Sequence, residues 1–157
     1  MRILMAVVFM LSSQAIAKDL TNRLGVGVKQ NSGINNSELL AHYYPNPDYG
    51  VTAAIGIDTQ TDYSRFSANG GVRRLVFKED NMNFYMGGRA GIINYQNGSS
   101  KQSGFEIYGT FGGEFFLHGL DSLGFNFEGG VGVVSGDDVR FRTLGDSFTS
   151  AGILFYF

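Results

Sequence analysis

The chain has 157 residues, no cysteine, 23 glycines against two prolines, and 12 Lys/Arg against 14 Asp/Glu. Without cysteine, disulfides, thiolate metal sites and a lipidated N-terminal cysteine are excluded. A mildly acidic balance with no basic run leaves no electrostatic footprint for nucleic acid, and the length suits one domain.

Met1-Arg2 is a short basic start, Ile3 to Leu11 is an apolar run, and Ala15-Ile16-Ala17 supplies the small-x-small pattern of a cleavage site. Together these predict a secretory signal peptide over 1–17, cleaved after Ala17, and a mature domain over 18–157. The apolar run is too short to cross a bilayer as a helix.

Beyond it no apolar stripe at helical spacing exceeds a turn or two, and glycine with β-branched and aromatic residues dominates, which predicts an all-β chain. Arg23 to Gln30 sets Leu24, Val26 and Val28 on one face and two glycines on the other. A segment ending at Tyr44 turns Leu39, Ala41 and Tyr43 away from Glu38, Leu40 and His42, and its start is not fixed by the pattern. Val51 to Gln60 alternates cleanly; Arg65 to Phe77 alternates through Phe66, Ala68, Gly70 and Val72, then loses register at Arg73-Arg74, where a bulge is expected. Phe84 to Tyr95, Gly104 to Phe116 and Gly124 to Val134 alternate without a slip. Residues 135–149 read as a polar loop in which Val139 to Leu144 could form a hairpin extension, and the terminal strand puts Ala151, Ile153, Phe155 and Phe157 on one face.

Eight strands return both termini to one side. Turns at 45–50, 78–83 and 117–123 then lie with the termini, and those at 31–36, 61–64, 97–103 and 135–149 lie opposite. Thirteen aromatics gather at strand ends on the terminal side: Tyr43, Tyr44, Tyr49, Phe77, Phe84, Tyr85, Phe115, Phe116, Phe125, Phe127, Phe155, Tyr156 and Phe157. Such a ring suits the headgroup level of a membrane. A soluble barrel or sandwich would need its second face richly charged, yet that face carries mainly Gly, Thr, Tyr and Asn, as a narrow lumen would.

The Ile153-x-Phe155-x-Phe157 ending, the signal peptide and the alternating strands resemble the bacterial outer-membrane β-barrel superfamily, in particular its small eight-stranded group that includes the OmpA membrane domain and OmpX. That resemblance covers nearly all of 18–157. It implies an eight-stranded antiparallel up-and-down transmembrane β-barrel in the Gram-negative cell outer membrane, embedded in lipid and monomeric, without a cofactor. It also implies that Ile153, Phe155 and Phe157 act as the signal by which the outer-membrane assembly machinery takes up the C-terminal strand.

Within such a barrel Arg73, Arg74, Arg89, Glu114 and Glu128 are expected at similar depth as a lumen charge cluster, with Arg89 paired to Glu114 or Glu128, because an unpaired buried ion costs several kcal/mol. Eight strands leave an interior just filled by side chains, which excludes a wide pore. Catalysis has weak support. His42 would face inward beside Glu38, while His118 shares the turn HGLDS with Asp121 and Ser122, where neighbouring turn residues rarely assemble a triad. The expected role is therefore structural or surface-interacting and not enzymatic; a narrow ion or small-solute channel and a lipid-modifying enzyme are the alternatives.

Overall fold

The computed structural model describes residues 18–31, 36–136, 138–143 and 150–157. The expected signal peptide, 1–17, lies outside the described residues. Within them the chain forms nine strands: β1 (Leu24–Asn31), β2 (Asn36–Tyr43), β3 (Tyr49–Gln60), β4 (Tyr63–Glu79), β5 (Met82–Asn97), β6 (Ser100–Phe116), β7 (Leu123–Ser135), β8 (Val139–Thr143) and β9 (Ser150–Tyr156). All pairings are antiparallel, each strand from β1 to β7 lies beside the next, and β9 sits between β7 and β1. The sheet thus closes into an up-and-down barrel of eight staves.

The eighth stave is built from two pieces. Leu123–Glu128 at the lower end of β7 pairs with β9, and Val131–Ser135 at its upper end pairs with β8. Register shifts by four residues between them, since Val131 opposes Thr143 whereas Glu128 opposes Ser150. The polar stretch before the last strand therefore contains the expected hairpin extension, over Val139–Thr143.

Pairing fixes the stagger of the barrel. From Val28, partners run through Leu39, Ile55, Ala68, Ile92 and Phe105 to Ser135. In the other direction Val28 leads through Ile153 to Phe125. The two paths end ten residues apart on β7, a shear of ten, and for eight staves that tilts the strands by roughly 45°.

Two features depart from the sequence reading. The bulge lies between Leu75 and Phe77, below the expected site; Arg73 and Arg74 pair in order with Gly87 and Met86. The apolar pattern falters because Arg74 puts a charge on the outer face after Phe66, Ala68, Gly70 and Val72, while the backbone alternation continues and Arg73 points into the lumen. Residues 97–103 are also no loop: β5 and β6 run on to a tight turn at Gly98-Ser99, with Gly98 in the left-handed region at φ 61° that costs glycine little. Its amide donates to the Asp62 carbonyl in the neighbouring turn at 2.6 Å. Polar side chains on both faces hide these strand ends from a periodicity reading.

Inward glycines are what let the strands coil this tightly. A Cβ on Gly27 would collide with the Ile153 carbonyl of the closing strand, and one on Gly132 with the Ile107 carbonyl. On the outer face the restriction vanishes: a Cβ on Gly70 would meet its nearest atom, the Thr52 carbonyl oxygen, at an ordinary 3.7 Å. Gly27→Val should accordingly block barrel closure, seen as loss of the compact band on unheated gels, while Gly70→Ala should fold as the wild type does. Normal closure in Gly27→Val would show that the β1–β9 seam is not as tight as its register requires.

Candidate functional site

Burial in this barrel is inverted. Leu39, Phe77 and Ile57 are 63, 68 and 64% exposed on the outer face, whereas Glu114 and Arg89 are 0 and 6% exposed inside. Strand alternation produces the inversion directly, because apart from Val76 and Phe77 at the bulge the apolar residues of the outer face alternate with lumen residues.

At the terminal end the lumen is capped by an apolar cluster. Leu20, from the segment before β1, packs there with Leu40, Tyr44, Leu75, Tyr85, Phe116, Leu154 and Tyr156. Lys18 anchors that segment through an ion pair to Asp121 at 2.8 Å and through its carbonyl, which accepts from Asn83 Nδ2 at 3.3 Å. The Lys18 ammonium holds the exposed Asp121 carboxyl below the usual carboxylate range, by hydrogen bond and by charge. Arg23 closes the other side, donating to Ser122 Oγ at 3.0 Å and the Tyr156 carbonyl at 2.9 Å.

Above the cap lie three linked polar groups. In the first, Glu114 accepts from the Tyr44 hydroxyl at 3.0 Å and, in a shorter bond, from the Tyr156 hydroxyl. Arg73 Nη2 lies 2.9 Å from His42 Nε2. A guanidinium has only donors, so that ring nitrogen accepts and the imidazole is neutral, with its proton on Nδ1 facing the Tyr156 hydroxyl at 3.3 Å. In the second group Glu128 accepts from Tyr85 at 3.2 Å and stands 3.6 Å from Arg89 Nη1; Asn126 donates to the same tyrosine oxygen at 2.6 Å. In the third, Lys29 pairs with Glu38 at 3.3 Å, and that carboxylate also accepts from Ser67 at 2.6 Å and from Asn69 at 3.1 Å. The guanidinium planes rest on rings, Arg73 over Tyr85 at 4.0 Å and Arg89 over Tyr108 at 4.9 Å.

Of the five residues expected in the lumen, Arg73, Arg89, Glu114 and Glu128 face inward. Arg74 does not: it faces outward, 5.8 Å from the centre of the Tyr49 ring. One side chain per pair of neighbours can enter a strand-walled lumen, and Arg73 takes that place. Arg89 stands against Glu128, whereas Glu114 is enclosed by tyrosines and lies 3.8 Å from His42. His42 is inward as expected but belongs with Arg73 and Glu114, not with Glu38. His118 is exposed in its turn. Four of the thirteen terminal-side aromatics, Tyr44, Tyr85, Phe116 and Tyr156, turn inward and build the cap, so the outer ring is thinner than the sequence suggested.

The sequence reading missed Lys29–Glu38 as a pair, and also Leu20, Ser67 and Asn69. Lys29 and Glu38 are direct cross-strand partners, which becomes visible once the start of β2 is known. Leu20 carries no periodic signal, being outside any strand. No protein-family model, curated protein or solved structure matches the chain.

Arg89 and Glu128 should show a coupling energy of about 0.5–3 kcal/mol in a double-mutant cycle. Arg89 and Glu114 should show a smaller one. Glu114→Ala, which strips two tyrosines of their acceptor, should cost about 3–5 kcal/mol, as removal of one partner from a buried charged network does. Equal coupling of Arg89 to both glutamates would contradict the tyrosine enclosure of Glu114.

Proposed function

We propose that this chain is an integral outer-membrane β-barrel protein of the Gram-negative envelope, with a structural or surface-interaction role and no catalytic step. One observation carries the reading: the large apolar side chains form the outer wall, and the charges form the interior. In water this arrangement would leave a wide apolar belt exposed, far beyond the patches monomers tolerate. The belt has the height a bilayer asks for. Along β6 outward apolar residues extend from Phe105 to Phe115, ten residue steps at about 3.3 Å. A tilt of roughly 45° converts these to roughly 23 Å, close to the ~25 Å apolar band of membrane barrels. Outward Ser103 and Lys101 lie above that stretch.

Lipid is the partner this surface fits, and the closed ring supports a monomer, since closure leaves no sheet edge through the belt for a second chain to extend. The C-terminal strand supports the uptake role proposed for Ile153, Phe155 and Phe157, because all three project from the outer wall at the closing seam. A narrow channel is the second reading. The apolar cap around Leu20 and the ring-packed guanidiniums weigh against it, since an ion would have to displace both. Neither of these favours a lipid-modifying enzyme.

Urea-unfolded mature protein should refold into detergent micelles or lipid with β-type circular dichroism and shifted migration on unheated gels. It should form no monodisperse monomer without them, and recovery of such a monomer would sink the membrane reading. Planar bilayers holding the refolded protein should show no steady conductance. Phe157→Ala should lower the amount inserted in cells while detergent refolding stays nearly intact, because one partly covered ring is worth at most about 1.5–3 kcal/mol. Equal defects in both settings would assign Phe157 to packing alone.

A further inference from the structure

Four guanidinium nitrogens in the lumen have no hydrogen-bond acceptor among the described residues: Nε of Arg73, and Nε, Nη1 and Nη2 of Arg89. Both side chains are more than nine-tenths buried, at 4 and 6% exposure. A cavity of about 10 Å³ lies between them, lined also by Lys29, Thr110, Asn126 and Glu128. That is room for about one water-sized body.

Two of the lumen carboxylates, Glu114 and Glu38, are already engaged, and Glu128 is engaged through one oxygen. Glu114 takes the hydroxyls of Tyr44 and Tyr156, and Glu38 takes Lys29, Ser67 and Asn69. One oxygen of Glu128 takes Tyr85, and the other is 3.6 Å from Arg89 Nη1, beyond hydrogen-bond length. Among the ion pairs of the described lumen, Arg73 has no carboxylate partner. Tyrosine hydroxyls thus stand between the carboxylates and the guanidiniums, and the cavity is rich in donors. A water molecule could accept from two of them but would bring two hydrogens of its own into the same space. A spherical anion accepts from every direction and brings none.

We propose that this cavity is a binding site for a single small monovalent anion of the halide class, held between Arg73 and Arg89. Its size excludes phosphate- and sulfate-sized anions, and a chloride requires the long Arg89 side chain to give by a few tenths of an ångström. Glu128 opposes the anion and keeps its affinity modest. The apolar cap around Leu20 closes the terminal end, so exchange runs through the loop end, past Glu106, Tyr108 and Arg142.

The test uses the mature protein in detergent micelles, with chloride replacing gluconate at constant ionic strength. The unfolding temperature should rise saturably with chloride and with bromide. Arg89→Gln should abolish that dependence, and Glu128→Gln should shift it to several-fold lower halide concentration. Crystals grown in bromide should show an anomalous peak between the two guanidinium groups. Should Arg89→Gln fail to fold, the wild-type bromide peak and the Glu128→Gln shift decide the matter. A stability that is the same in chloride and gluconate, together with lumen density lacking anomalous signal, would assign the cavity to water and overturn the proposal.

Discussion

Ring closure between β1 and β9 is the constraint on which every other feature of this barrel depends. It rests on five residue pairs, Gly25 with Tyr156 through Lys29 with Gly152, extended by one hydrogen bond from the Phe157 amide to the Leu24 carbonyl at 2.9 Å. Slipping this seam by one residue would exchange the two faces of the closing strand. Tyr156 would leave the cap and Phe155 would enter it. The seam also needs an inward glycine, since the Ile153 carbonyl fills the space beside Gly27. The shear of ten that follows fixes both the width of the lumen and the level at which each inward side chain sits, so that a single register decides which charges meet.

Given that register, the lumen resolves a difficult electrostatic problem by interposing tyrosines. Two arginines and several carboxylates share a narrow space from which bulk water is largely excluded, and direct pairing would require each long guanidinium to reach its acid in good geometry. Here Tyr44 and Tyr156 saturate Glu114, Tyr85 contributes to Glu128, and the rings of Tyr85 and Tyr108 support the guanidinium faces. A tyrosine meets both needs at once: its hydroxyl donates to an acid, and its face accepts a cation. The consequence is a stiff, filled interior with donors left over, which fits a plug better than a passage and leaves room for one small anion.

How much of this could be read from the sequence follows from where the chain meets two unlike surroundings. Wherever one strand face meets the apolar belt and the other meets the lumen, period two is strong, and β3, β5, β6, β7 and β9 were legible with their faces correctly assigned. Above the belt both faces meet polar surroundings, the contrast disappears, and the extension of β5 and β6 to Asn97 and Ser100 could not be seen. A charge on the outer face, Arg74, reads in sequence as a break at Arg73-Arg74, although the chain bulges only after Leu75. Aromatic clustering marked the right level of the barrel but not the side of the wall. Tyr44 and Tyr43 are neighbours in sequence, yet one caps the lumen and the other faces outward, and parity alone separates them.

The split eighth stave shows why the outer end was the least legible part. Up to Glu128, β7 pairs with β9; in the bilayer proposed above, an unpaired backbone edge at this level would have no water to satisfy it. From Val131 upward β7 pairs instead with β8, in a new register offset by four residues. Side chains there keep the parity of the rest of the barrel: Arg140 and Arg142 oppose Val134 and Gly132 on the inner face, while Val139 and Phe141 project outward. A substitution in β8 should accordingly alter the rim of the barrel without disturbing the seam that closes it.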